Sequence, residues 1–213
     1  DEATQHLREK VVIPEPGEIE VIPRLRTTIP VGEKYYPYLT DANGKRPMSD
    51  FGAGHRYNVT GLHHNISGFP DVSPKNVDAL IHHLVEKIEN KANEIARYKE
   101  YYMDDAEYVI VAYGTTTRSA IQAAEDYRNQ LGIKVGVFEL QVVWPFADDI
   151  IREKCANAKA VIVAEMNMGQ IVREVDRVLA SPGKVFLSNR ANNEIIKPSD
   201  IKASLKMIIG KGV

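Results

Sequence analysis

Cysteine is almost missing from this sequence: Cys155 stands alone among 213 residues. One thiol excludes an internal disulfide, a four-cysteine zinc site and an iron–sulfur cluster held by this chain itself. In IIREKCANAK it reads as a half-buried structural thiol at a helix end, not a nucleophile. An excess of either charge is missing too. Lys and Arg number 27 against 29 Asp and Glu, with the signs interspersed, for a net charge of -2. That balance leaves no footprint for nucleic acid or an anionic membrane. Although 44% of residues are hydrophobic, no apolar run approaches the roughly 18 residues of a membrane span. The opening DEATQHLREK is charged throughout and does not resemble a signal peptide. Together these absences predict a cytoplasmic protein with no nucleic-acid and no membrane partner. Metal-ligand spacing is also lacking. His82 and His83 are neighbours on a predicted helix, about 100° apart, and His63-His64 has no carboxylate pair close by.

What is present falls into two textures. Residues 1–72 hold most of the prolines and many glycines, in stretches such as VIPEPGEIEVIPRL, LTDANGKRPMSDFGAG and ISGFPDVSP. Helical periodicity is absent after Lys10, and the only β-like pieces are Glu18–Ile22 and Arg56–Thr60. A structureless loop of this length is unusual inside a compact domain. The zone therefore reads as an extended arm that packs on something else, with a hairpin at most. The first residues look like the tail of a helix already under way, as in a chain continuing from an upstream domain.

At Ser73-Pro74 the periodicity switches. Ser is a good N-cap, and Pro suits the first helical position because its missing N–H costs nothing there. Val77, Ile81, Leu84, Ile88, Ala92, Ile95, Tyr98 and Tyr102 follow in steps of three and four, predicting a long helix over 73–104 whose apolar stripe needs a partner. Residues 105–213 then alternate strand and helix. YVIVAY, KVGVFEL, AVIVA and KVFL read as strands; TRSAIQAAEDYRNQL, ADDIIREKCA, QIVREVDRVLA and SDIKASLKMII read as helices. In the first of these helices Ala120, Ile121, Ala124, Tyr127 and Leu131 are expected inward, and Gly132 ends it. Asp148 and Asp149 sit at the positive start of the second. The pattern predicts a three-layer α/β/α domain around a mostly parallel sheet.

Three strand ends lead into turns on the side where such sheets bind ligands. YGTTTRS places Gly114, Thr115, Thr116 and Thr117 at a helix N-terminus, which suits either simple capping by Thr115 or Thr116 or an anion. It lacks the second glycine and lysine of a Walker loop. WPF, residues 144–146, reads as a hydrophobic plug at a strand end, with Pro145 setting the exit direction. In AEMNMGQ, Glu165 has no histidine or second carboxylate near it in sequence, so it makes a poor general base. Met166 and Met168 suit an adaptable apolar contact. The glycine-flanked His63-His64-Asn65 loop, ending at Gly68, reads as structural or interfacial.

Taken in order, these turns resemble the transketolase C-terminal-like domain of thiamine-diphosphate enzymes. The order of YNVTGLHHNISGFPDVSPKNV, a long helix and that domain resembles the alpha subunit of 2-oxoacid:ferredoxin oxidoreductases, above all the 2-oxoglutarate type, over nearly the whole chain. The resemblance implies oxidative decarboxylation of a 2-oxoacid on thiamine diphosphate, transfer of the acyl group to coenzyme A, and electron flow through iron–sulfur clusters to ferredoxin. It implies that a beta subunit holds the diphosphate and Mg²⁺, that other subunits hold the clusters, and that a pyrimidine-binding domain precedes this segment. On that reading residues 1–72 are the link from the missing domain. The chain binds no cofactor and carries no catalytic residue of its own. Glu165, Asn167, Gly169 and Gln170 shape an assembly surface, and the loop of His63, His64, Asn65 and Gly68 approaches the active-site region.

Overall fold

A run such as YVIVAY is apolar at consecutive positions, so it can be satisfied only by a strand covered on both faces. The computed structural model, which describes residues 6, 8 and 10–210, places it at the middle of a five-stranded sheet. In chain order the strands are β1 (Tyr98–Tyr101), β2 (Tyr108–Tyr113), β3 (Val135–Leu140), β4 (Ala160–Glu165) and β5 (Val185–Asn189). Their order across the sheet is β1-β3-β2-β4-β5, with β1 antiparallel to β3 and every other pairing parallel. Four longer helices connect and cover this sheet.

The helices of the chain are α1 (Pro74–Glu89), α2 (Ala92–Ile95), α3 (Thr116–Leu131), α4 (Asp148–Cys155), α5 (Ile171–Leu179) and α6 (Pro198–Gly210). Alternation along the strands sends Ile110, Val137 and Ile162 to one face, where Ala120, Ala124 and Tyr127 of α3 and Ile201 and Leu205 of α6 meet them. Val109, Val111, Phe138, Val161 and Val163 point to the other face, against Ile151 and Cys155 of α4 and Val175 and Val178 of α5. This is the expected three-layer arrangement. Gly132 ends α3 at φ 67°, a left-handed turn that glycine adopts without penalty. Cys155 is fully buried, more than the half predicted, and burial pushes its thiol up to about 12.

The expected helix over 73–104 is divided. It stops at Glu89, a single turn follows, and Tyr98–Tyr101 becomes the edge strand β1. Ile95, Tyr98 and Tyr102 satisfy a helical spacing, but Tyr98 and Tyr101 also satisfy a strand that pairs with Leu140 and Val137. Tertiary pairing wins over local periodicity. Two smaller expectations also fail. Leu131, the last residue of α3, is 60% exposed instead of inward. Ser73 precedes α1 with Pro74 at its first turn, but its hydroxyl donates to Asp71 Oδ1 at 2.7 Å and caps nothing.

Residues Lys10–Lys91 form a separate unit. Glu18–Ile22 and Arg56–Thr60 are not strands; among the described residues β-type pairing here is confined to the isolated bridges Arg26 to Met48 and His64 to Pro70. Among the described residues Tyr35 is the one buried core hydrophobic of this unit. Its hydroxyl donates to the Pro47 carbonyl at 2.9 Å and accepts the Ser49 N–H at 3.2 Å. His55 Nε2 lies 2.9 Å from the Ile29 carbonyl and so carries the proton, which leaves Nδ1 to accept from the Ser49 hydroxyl at 2.8 Å. Tyr57 donates to the Ser49 carbonyl at 3.2 Å. No residue of α1 is buried.

Candidate functional site

From β2 the chain moves to β3 on one side of the sheet and later to β4 on the other. The crevice between the carboxyl ends of β2 and β4 is therefore the topological switch point, where open α/β sheets bind ligands. Tyr113 ends β2 and Glu165 ends β4, so the YGTTTRS and AEMNMGQ turns meet there. WPF lies farther along the same rim, beyond β3.

Glu165 is buried, 1% exposed, and its charge is already committed. Oε2 accepts the N–H groups of Ile171 at 2.9 Å and Gln170 at 3.2 Å, and Oε1 accepts that of Val172 at 3.0 Å. These are the orphan amides at the start of α5. Gln170, in the N-cap position, makes no side-chain cap, so a carboxylate from the preceding strand performs that service. A negative charge there also opposes the helix dipole. Asn167 completes the turn. Its Oδ1 accepts from the N–H of Gly169 at 2.8 Å and of Gln170 at 2.9 Å, and its Nδ2 donates to the Tyr113 hydroxyl at 2.7 Å. Asn189 Nδ2 donates to the Asn167 carbonyl at 2.7 Å. Burial, then the nearby Glu165 charge, raises the Tyr113 hydroxyl above its ordinary value. Gly169 sits at φ 90°, where a Cβ would come within 3.1 Å of Val172 and 3.2 Å of Leu187, so the tight return into α5 requires glycine.

The predicted residues are thus brought together, in roles the sequence did not distinguish. Glu165 lies beneath the turn and can shape a surface only from below; Gly169 is buried as well. Asn167 is half-buried, and Gln170, Met166 and Met168 face outward. Trp144 is not a plug: it is 59% exposed, while Phe146 packs into the core. The Trp144-Pro145 peptide is cis. Tyr113 and Asn189 were not predicted, and the one signal for Tyr113 was its place before Gly114. Thr115, Thr116 and Thr117 are buried at the start of α3, Gly114 is exposed at φ 58°, and Thr115 makes no side-chain cap. The Thr117 hydroxyl is buried with no hydrogen-bond partner.

In the other unit, the loop from Asn58 to Asn76 is cross-tied. His64 Nδ1 donates to the Leu62 carbonyl at 2.8 Å, and its Nε2 is buried without a partner. The Tyr38 ring lies over it at 3.7 Å between centroids. Asn65 Oδ1 accepts the Ser67 N–H at 2.9 Å, and Asn76 Nδ2 donates to the carbonyls of His64 at 3.0 Å and Asp71 at 2.8 Å. At Gly68, φ 85°, a Cβ would lie 1.9 Å from the Asn58 carbonyl oxygen. His63 is exposed. Among the described residues no three His, Cys, Asp or Glu side chains converge as a metal site.

Residues 106–201 match the family model of the pyruvate:ferredoxin oxidoreductase core domain II. The chain is 34% identical over 202 residues to the 2-oxoglutarate synthase subunit KorA of Methanothermobacter marburgensis, covering 94% of this chain and 53% of that one. It is 35% identical over 205 residues to the subunit of the same name from Methanocaldococcus jannaschii, covering 96% and 54%. It therefore spans about half the length of the curated relatives it matches. Among solved structures it superposes on the 2-oxoglutarate:ferredoxin oxidoreductase of Magnetococcus marinus, determined with 2-oxoglutarate, coenzyme A and succinyl-CoA bound. The TM-score is 0.77 at 22% identity, covering 92% of this chain and 34% of that one.

Proposed function

Residues 106–201 carry core domain II of the pyruvate:ferredoxin oxidoreductase family and the chain resembles KorA subunits along nearly its whole length; from that premise we propose that it is the C-terminal, assembly-forming part of the alpha subunit of a 2-oxoacid:ferredoxin oxidoreductase, with 2-oxoglutarate as the acid. The complete cytoplasmic enzyme oxidatively decarboxylates its substrate to an acyl-CoA and reduces ferredoxin. A pyrimidine-binding domain upstream, linked through residues 1–72, a beta subunit and further subunits supply thiamine diphosphate, Mg²⁺ and the iron–sulfur clusters. Residues 105–213 supply shape and docking area.

The observation that carries this reading is how Glu165 is used. The one carboxylate at the switch point is spent on three amides of its own chain, so it has no free role as a base or metal ligand. The same rim turns Val143, Trp144, Met166 and Met168 to solvent. Committed polar groups beneath exposed apolar side chains suit contact with another polypeptide. The donor set at this rim does not fit Mg²⁺ or an iron–sulfur cluster. Co-expression with the beta subunit of the same oxidoreductase tests the reading. The expected result is a stable complex, weakened at least about tenfold by Met168→Asp, with no turnover of 2-oxoglutarate by this chain alone. Turnover by the isolated chain, or binding that ignores Met168→Asp, overturns it.

A second reading has one specific observation in its favour. The Thr117 hydroxyl is buried and unpartnered at the start of α3, beside Gly114, Thr115 and Thr116, where an anion is favoured by the helix dipole. Calorimetry with coenzyme A and with nucleotides decides: micromolar binding supports a ligand site there, and its absence leaves the turn purely structural.

A further inference from the structure

The two edges of the sheet differ. β1 carries Lys99 and Glu100 at its centre, both exposed, and Lys154 pairs with Glu100 at 2.9 Å. Charges placed this way discourage pairing with another strand. β5, VFLSN, has no charge and no proline. Its inward bonds are marked at either end: the Val161 N–H donates to the Lys184 carbonyl at 2.9 Å, and the Arg190 N–H to the Glu165 carbonyl at 3.3 Å. Even-numbered residues therefore bond to β4, and Val185, Leu187 and Asn189 turn their N–H and C=O groups outward. Among the described residues those groups meet no partner.

Beside this edge runs a groove of about 570 Å³ between α5 and β5. Val172, Val185 and Leu187 line it, with Arg173 and Asp176 on the helix wall. The charged neighbours of those two are occupied: Arg177 is held by Glu174 at 2.9 Å and Asp148 at 2.7 Å. Arg173 and Asp176 make no side-chain hydrogen bond or ion pair among the described residues, although they stand one helical turn apart with opposite signs. A two-fold axis gives such a pair its complement, since residue i of one copy meets residue j of the other and the reverse.

We propose that β5 pairs antiparallel with β5 of a second copy of this chain, so that the sheet continues across a two-fold axis near Leu187 and Arg173 of each copy meets Asp176 of the other. The apolar groove closes over the shared edge, and the outward backbone groups of Val185, Leu187 and Asn189 find partners. A foreign strand could use the backbone edge, but only a second copy is bound to present both charges in reversed order. The inference stands apart from the proposed function: the chain can be an oxidoreductase part with or without this contact.

Sedimentation velocity on the 213-residue chain is the test. The expected result is a concentration-dependent dimer whose dissociation constant rises at least about tenfold in Arg173→Asp and in Asp176→Arg. The double variant, with both charges reversed, should recover most of the loss. Leu187→Pro removes an outward N–H that the fold does not use, so it should give a monomer with an unchanged circular dichroism spectrum. A wild-type chain that stays monomeric to about 100 µM, single reversals without effect, or a double variant as weak as the sum of the singles would each overturn the proposal. So would uptake of a different subunit on this edge that Leu187→Pro abolishes.

Discussion

Residues 108–164 and residues 27–57 hold themselves together by different physics. The first stretch contributes strands whose side chains vanish from solvent: Ile110, Val111, Phe138 and Ile162 are all 0% exposed. Each such side chain is worth about 1.5–3 kcal/mol by removal from water, and the polar backbone is satisfied by the ladders. The second stretch winds around Tyr35, Ser49, His55 and Tyr57 through three hydrogen bonds to backbone carbonyls and one between the Ser49 hydroxyl and His55. Each of these nets only about 0.5–1.5 kcal/mol, and apolar residues such as Val31 and Phe51 remain in solvent. The sheet unit has made its own core. The arm has a specified shape and little burial.

Paired substitutions can break that contrast. Ile162→Ala in the centre of β4 should cost about 2–5 kcal/mol in urea denaturation, whereas Ile22→Ala in the arm, 84% exposed, should stay within about 0.5 kcal/mol. Equal losses would mean that the arm has a core after all. Next in size is Glu165→Gln, which keeps the shape but brings an NH₂ group against backbone donors. A loss of about 2–3 kcal/mol is expected, with faster amide exchange at Ile171 and Val172; unchanged exchange would remove Glu165 from its capping role. Tyr35→Phe deletes one donor and one acceptor in the arm. About 1–2 kcal/mol of local stability should disappear, seen as lost protection of the Ser49 amide while exchange in β2 and β4 stays constant.

The smallest effect is electrostatic. Arg177 holds the Asp148 carboxyl below its ordinary value of 3.8, chiefly through hydrogen bonds. A depressed folded-state value means that the stabilisation is complete above about pH 4 and is lost as pH falls through the lower value. Both groups are partly exposed, so the contribution is a few tenths of a kcal/mol. Between pH 6 and pH 3 the urea midpoint should fall slightly more in wild type than in Arg177→Ala.

Much of the sheet unit was legible because β2 and β4 are apolar at almost every position and are followed by helical patterning. Gly132 read correctly as a helix end because backbone chemistry is local. β1 was not legible. YKEY carries two central charges, and its two tyrosines, three apart, fit a helical step, although on the strand they point to opposite faces of the sheet; only the presence of β3 decides. The turn at Glu165 was located but its inward direction was not, because three amides of α5 become partners only after the strand and helix are packed. Trp144 looked like core by composition, and nothing in its neighbours says that the chain leaves β3 with the indole outward. In the arm, the knot around Tyr35 joins residues as far apart as Ile29 and His55, a separation no periodicity encodes.

Trp144 has a practical consequence. It is the sole tryptophan of the chain, and its indole stands in water at the carboxyl rim of the sheet. Ultraviolet emission from the unlabelled polypeptide therefore reports from a single known spot: red when that spot is wet, blue when something dry is laid against it. An optical titration can follow the rim being covered without a dye or a tag.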